Sequence, residues 1–157
     1  MMRMCRTLLA TLVLALPMAL HAQLGIEIGA TAPDVMVETL DGKAVSLASA
    51  YKGRPAVIEF WATWCGPCKQ SIPHINKIHR ELAPKGLVVV GVSDETPEKV
   101  RPFVKQMGAT MSYPVVVQKK DDQFMKEKWM KAAEQNGIPC AFKIGRASCR
   151  ERVLACV

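Results

Sequence analysis

Residues 56–69 join a buried strand to a helix with two cysteines at the junction, and no other stretch constrains the fold as tightly. Ala56-Val57-Ile58-Glu59-Phe60-Trp61 is apolar, β-branched and aromatic apart from one acid, as a strand covered on both faces requires. Pro67 suits the first turn of a helix, where its missing N–H has no partner to lose. Cys65 then sits at the helix N-terminus, where unpaired backbone N–H groups and the helix dipole favour a thiolate over a thiol. Cys68 follows one turn later, within reach of a disulfide to Cys65. A lone C-x-x-C is also half of a zinc site. Placed after a buried strand and opening a helix, it reads as a redox dithiol.

The flanking sequence alternates strands with helices and predicts an α/β sheet. Val35–Thr39 and Lys43–Leu47 alternate apolar with polar residues around an Asp41-Gly42 turn, an N-terminal β-hairpin. The helix from Pro67 carries Ile72, Ile75, Ile78 and Leu82 at helical spacing and stops at Pro84-Lys85-Gly86, with Pro73 expected to kink it. Leu87–Val92 is a second apolar strand, parallel to the first. Pro97–Met107 is a helix capped by Thr96, with Val100, Phe103, Val104 and Met107 on one face. Val115–Val117 is a short strand, and Gln123–Glu134 a third helix ending before Asn136-Gly137.

The ends of the chain read differently. Residues 1–22 combine Arg3 and Arg6, an apolar run from Thr7 to Leu20, and a small residue at Ala22, the order of a secretory signal. That run is short of the roughly 20 residues a spanning helix needs, so a retained membrane anchor is the lesser alternative. Cys5 would leave with the signal. The chain's formal charge of +7 falls to +5 without Arg3 and Arg6, and to +3 without residues 144–157. No basic stripe survives, so nucleic acid is not an expected partner. Ile144–Val153 matches one reading frame of a common sequencing adapter, which makes residues 144–157 an expected non-native tail after a domain spanning 23–143. Cys149 and Cys156 in that tail are given no function.

The segments Gly29-Ala30-Thr31-Ala32-Pro33-Asp34, Asp41–Leu47, Trp61–Lys69, Val88–Ser93 and Asn136-Gly137-Ile138-Pro139 together resemble the extracytoplasmic thioredoxin-like proteins of TlpA/ResA type, over about Ile28 to Lys143. The resemblance implies a thioredoxin-like fold, a central mixed sheet flanked by helices, and a proline inside the first long helix. It also implies a further strand and helix at the C-terminus. Neither can be read in Ser148–Val157, so the strand around Cys140–Lys143 is expected to be an open edge.

By the same resemblance, Cys65 attacks a substrate disulfide and Cys68 resolves the mixed disulfide. Glu59, six residues before Cys65, would be the buried acid that takes the Cys68 proton through water; the bland alternative is an outward-facing edge acid. Ile138-Pro139 would form a cis-proline turn packed on the dithiol, against a plain trans turn. Trp64, Gly66, Pro67, Ile138 and Pro139 would face the substrate. Cys140 stands where Thr is usual, either as a small buried residue or as a third thiol near the site. His74 and His79, five apart, do not share a helix face and read as surface or satisfied residues. Asp94-Glu95 and Asp121-Asp122 read as solvated loop charges.

Gly66-Pro67 between the cysteines resembles thioredoxin, at about −270 mV, rather than DsbA, at about −120 mV, which implies a reductant. Such a protein needs no cofactor and no stable metal. Its implied partners are protein disulfides or dithiols, among them apocytochromes, and a membrane thiol reductant as electron donor. A peroxiredoxin-like peroxidase is the competing enzyme; that family has Thr three residues before its cysteine, and here the residue is Ala62. A metal carrier built on Cys65 and Cys68 is the non-enzymatic alternative, with Cys140 as its one plausible extra ligand.

Overall fold

The computed structural model describes residues 29–118, 123–147 and 150–156. The expected signal segment, Asp121-Asp122 and Cys149 lie outside them. Seven strands form one mixed sheet: β1 (Met36–Thr39), β2 (Ala44–Ser46), β3 (Ala56–Trp61), β4 (Val88–Ser93), β5 (Val115–Gln118), β6 (Cys140–Ala147) and β7 (Arg150–Cys156). Their order across the sheet is β2-β1-β5-β4-β3-β6-β7. The parallel pairs are β3–β4 and β4–β5, with Glu59 opposite Gly91 and Phe60 opposite Val92. The remaining pairs are antiparallel.

Alternation along the strands divides the interior in two. Ile58, Phe60, Val90, Val92, Phe142 and Ile144 pack on one face with Leu47, Phe124 and Trp129. Trp61, Val89, Val115 and Val117 pack on the other with Cys65, Cys68, Ile72 and Val100. That second layer is covered by α2 (Gly66–Leu82) and α3 (Pro97–Met107). Along α2 the apolar stripe is buried only near its start: Ile72 is inside, Ile75 is half-buried, and Ile78 and Leu82 are exposed. The helix continues through Pro73.

The β1–β2 hairpin turns at Gly42, whose φ of +88° suits a residue without Cβ. After it comes a helix absent from the sequence reading, α1 (Leu47–Tyr51), where a strand ending at Leu47 was expected. Ser46 caps it, accepting a bond from the Ser49 N–H at 3.2 Å. Thr96 occupies the cap position of α3, but its side chain makes no capping bond. The expected third helix is irregular: Met125–Met130 is π-helical and Lys131–Ala133 is 3₁₀.

The C-terminus departs from expectation. β6 is not an open edge, because Arg150–Cys156 folds back on it as β7, from Phe142 opposite Cys156 to Ala147 opposite Arg150. Strand pairing is made by main-chain groups, and only two residues separate the strands, so an antiparallel return forms without a strong sequence signature. No helix follows β7 among the described residues.

Candidate active site

The β3–α2 junction carries the dithiol. Cys65 is the N-cap of α2, its Sγ accepting from the Cys68 N–H at 3.1 Å, and Gly66-Pro67 form the first turn. The two cysteines form a disulfide. Cys65 is 4% exposed and Cys68 fully buried, so attack from outside must fall on Cys65. The unpaired N–H groups of the helix start lie on the Cys65 side.

The approach to Cys65 is framed by two residues. Trp64, 68% exposed, stands at the rim, and the Ile138 carbonyl oxygen lies 3.7 Å from Cys65 Sγ. The Ile138–Pro139 bond is cis. Trp64, Gly137 and Ile138 border a groove of about 980 Å³ that runs on past Met130, Lys126 and Asp94. Gly66, Pro67 and Pro139 are exposed but do not line it.

Behind the dithiol lies Glu59, 1% exposed and aimed into the α2 side of the sheet rather than outward. Tyr113 Oη donates to its Oε2 at 2.8 Å. Ser71 Oγ lies 3.0 Å from its Oε1 and 2.9 Å from the Cys68 carbonyl oxygen. Burial holds the Glu59 carboxyl above the usual carboxylate range, while the Tyr113 and Ser71 hydroxyls oppose that shift. Burial, together with the charge and hydrogen bond of Glu59, pushes the Tyr113 phenol far above its ordinary value.

Glu95 is not a solvated charge. Its Oε2 accepts from the Thr63 N–H at 2.5 Å and its Oε1 from the Thr63 hydroxyl at 2.8 Å, gripping the turn two residues before Cys65. Sequence reading missed Ser71, Tyr113 and Glu95. The signals available were a hydroxyl three residues after Cys68 on its own helix, and a Thr in the turn needing an acceptor. Cys140 is buried in the other layer, opposite Phe60 in register, so the sheet separates it from the dithiol. His74 is exposed; His79 packs its ring edge-on to Tyr113, 6.2 Å between centroids. His79 is half-exposed, and its Nδ1 is buried with no hydrogen-bond partner among the described residues. Among the described residues, His, Cys, Asp and Glu nowhere gather in a group of three suited to a metal ion.

Residues 28–148 match the family model described as AhpC/TSA. The chain is 39% identical over 100 residues to the thioredoxin-like protein YneN of Bacillus subtilis, covering 62% of this chain and 58% of that one. It is 36% identical over 95 residues to the thiol-disulfide oxidoreductase ResA of Bacillus thuringiensis, covering 60% and 53%. The chain thus spans little more than half the length of these relatives. Among solved structures, a protein from Chlorobium tepidum assigned as thiol:disulfide interchange protein DsbE superposes with a TM-score of 0.69 at 27% identity, covering 84% of this chain and 85% of that one.

Proposed function

We propose, given that the chain belongs to the AhpC/TSA family as a thioredoxin-like member of TlpA/ResA type, that it is a thiol–disulfide oxidoreductase that reduces disulfides in proteins outside the cytoplasm. The observation that carries this reading is the Cys65–Cys68 disulfide at the start of α2, with a buried carboxyl behind it and an open groove in front. In the reduced state the Cys65 thiolate attacks a substrate disulfide and forms a mixed disulfide. Cys68 gives up its proton, with Glu59 as the acceptor, and attacks Cys65 Sγ. The Cys65–substrate bond breaks, the second substrate sulfur leaves reduced, and the Cys65–Cys68 bond closes. Two electrons pass to the substrate, and a thiol reductant at the membrane returns them. Trp64, Gly66, Pro67, Ile138 and Pro139 form the surface on which an extended segment of the substrate lies.

The peroxidase reading needs a Thr at position 62, where this chain has Ala. The metal-carrier reading needs a third ligand, and Cys140 lies across the sheet. The test is the reduction potential of Cys65–Cys68 against a glutathione series, in a chain with Cys5, Cys149 and Cys156 changed to Ser. A value near thioredoxin's, about −270 mV, is expected; one near DsbA's, about −120 mV, would make the chain an oxidant. Cys68→Ser should accumulate the mixed disulfide with a substrate protein, and Cys65→Ser should form none.

A further inference from the structure

We propose that Ser71 and Tyr113 are positioning residues of the resolving step, acting through Glu59. The inference rests on the reading above, in which Glu59 accepts the Cys68 proton. Both oxygens of Glu59 are held: Oε2 by the Tyr113 hydroxyl at 2.8 Å, Oε1 by the Ser71 hydroxyl at 3.0 Å. The Ser71 hydroxyl also lies 2.9 Å from the Cys68 carbonyl oxygen, and it has one proton to give. When Glu59 is ionised, that proton is best placed on the carboxylate, since a charged acceptor makes the stronger bond. When Glu59 has taken a proton on Oε1, it becomes the donor to Ser71 Oγ, and the Ser71 proton turns to the Cys68 carbonyl. One hydroxyl rotation therefore ties the charge on Glu59 to the backbone of the resolving cysteine.

The surroundings keep this arrangement in place. Gly91 faces Glu59 across the β3–β4 pair, and a Cβ there would come within 3.0 Å of Tyr113 Cε2 and 2.9 Å of Trp61 Nε1. Only a residue without a side chain leaves the phenol room beside Glu59. On α2, Asn76 Oδ1 accepts from the Ser112 N–H and hydroxyl, both at 2.8 Å, and its Nδ2 donates to the Ala109 carbonyl at 2.8 Å, which fixes the loop that delivers Tyr113. Among the described residues, the titratable groups on the elements packed here include Cys65 and Cys68 at the start of α2 and His79, whose ring packs edge-on to Tyr113. On β6 the residue opposite is Ala141, and Lys143, two along, is the nearest cation in register.

The test uses the reduced full chain, with Cys5, Cys149 and Cys156 as Ser, mixed rapidly with the aromatic disulfide 5,5′-dithiobis(2-nitrobenzoate). Attack by Cys65 releases one coloured thiolate and resolution by Cys68 releases the second, so the two steps appear as successive absorbance phases. Ser71→Ala and Tyr113→Phe are each expected to slow the second phase about ten-fold near neutral pH, the loss of one bond to a charged group. Each should also move its pH midpoint upward, because a carboxylate with one donor fewer holds its proton to higher pH. The first phase should stay within about two-fold in both. Ser71→Thr, which keeps the hydroxyl, should restore the second phase. A second phase unchanged in both rate and midpoint, or Ser71→Thr behaving as Ser71→Ala, overturns the proposal. Glu59→Gln separates it from its premise: if that variant resolves at the normal rate, the Glu59 reading itself fails.

Discussion

At the scale of single residues, two carboxylates do opposite work. Glu59 is buried, and its folded-state carboxyl keeps its proton above the ordinary value of 4.5. The folded chain therefore binds more protons than the unfolded one as pH rises through that window. The stability associated with this group is complete below about pH 4.5 and is lost as pH climbs toward the raised folded value. Glu59→Gln should flatten that decline and stabilise the fold at pH 8 by on the order of 1 kcal/mol, read from urea unfolding across pH. Glu95 holds Thr63 by two bonds, so Glu95→Ala should cost about 1–3 kcal/mol and slow attack by Cys65, with Glu95→Gln milder on both counts. Unfolding and first-phase kinetics check this together. Glu59 and the dithiol were legible because they share one strand–turn–helix stretch. Tyr113 and Glu95 were not, because their partners lie 54 and 32 residues away in sequence, and Ser71, though on α2, meets Glu59 only once that helix packs on β3.

At the scale of elements, the apolar runs announced β3, β4 and β5, and the spacing of Val100, Phe103, Val104 and Met107 announced α3 within its observed bounds. Period and proline placement are local signals, and these elements obey them. The five-residue α1 is too short to show a period, and its signal was the Ser46 cap alone. The stripe on α2 misled because periodicity says which residues share a face, not how far the neighbouring layer extends along it. Asn76 is the polar exception on that helix, buried and bonded to Ala109 and Ser112. Asn76→Ala should destabilise by about 2 kcal/mol, since it strips partners from three polar groups at once. It should also slow the resolving phase by loosening the Tyr113 loop, which separates it from a merely destabilising change.

At the scale of the whole molecule, β7 decides whether β6 is an inner strand or the edge of the sheet. Deleting residues 148–157 would strip β6 of its partner along Phe142–Ala147. With β6 and its buried Phe142 and Ile144 left at the edge, the shortened chain should self-associate more readily than the full chain, seen by light scattering. This is also where sequence reading was weakest: a tail judged by its origin was denied the main-chain bonding that any extended segment can supply. We hold to the proposal that residues 144–157 are foreign to the native protein, and sequencing the 3′ end of the source transcript checks it. Meanwhile the division of the interior into two layers has a chemical result of its own. Cys140 adjoins the Ile138–Pro139 turn in sequence yet faces the opposite layer from Cys65 and Cys68. Sulfur must touch sulfur to exchange. The sheet is therefore an insulator between two sulfur populations, one at residues 65 and 68 and the other at position 140.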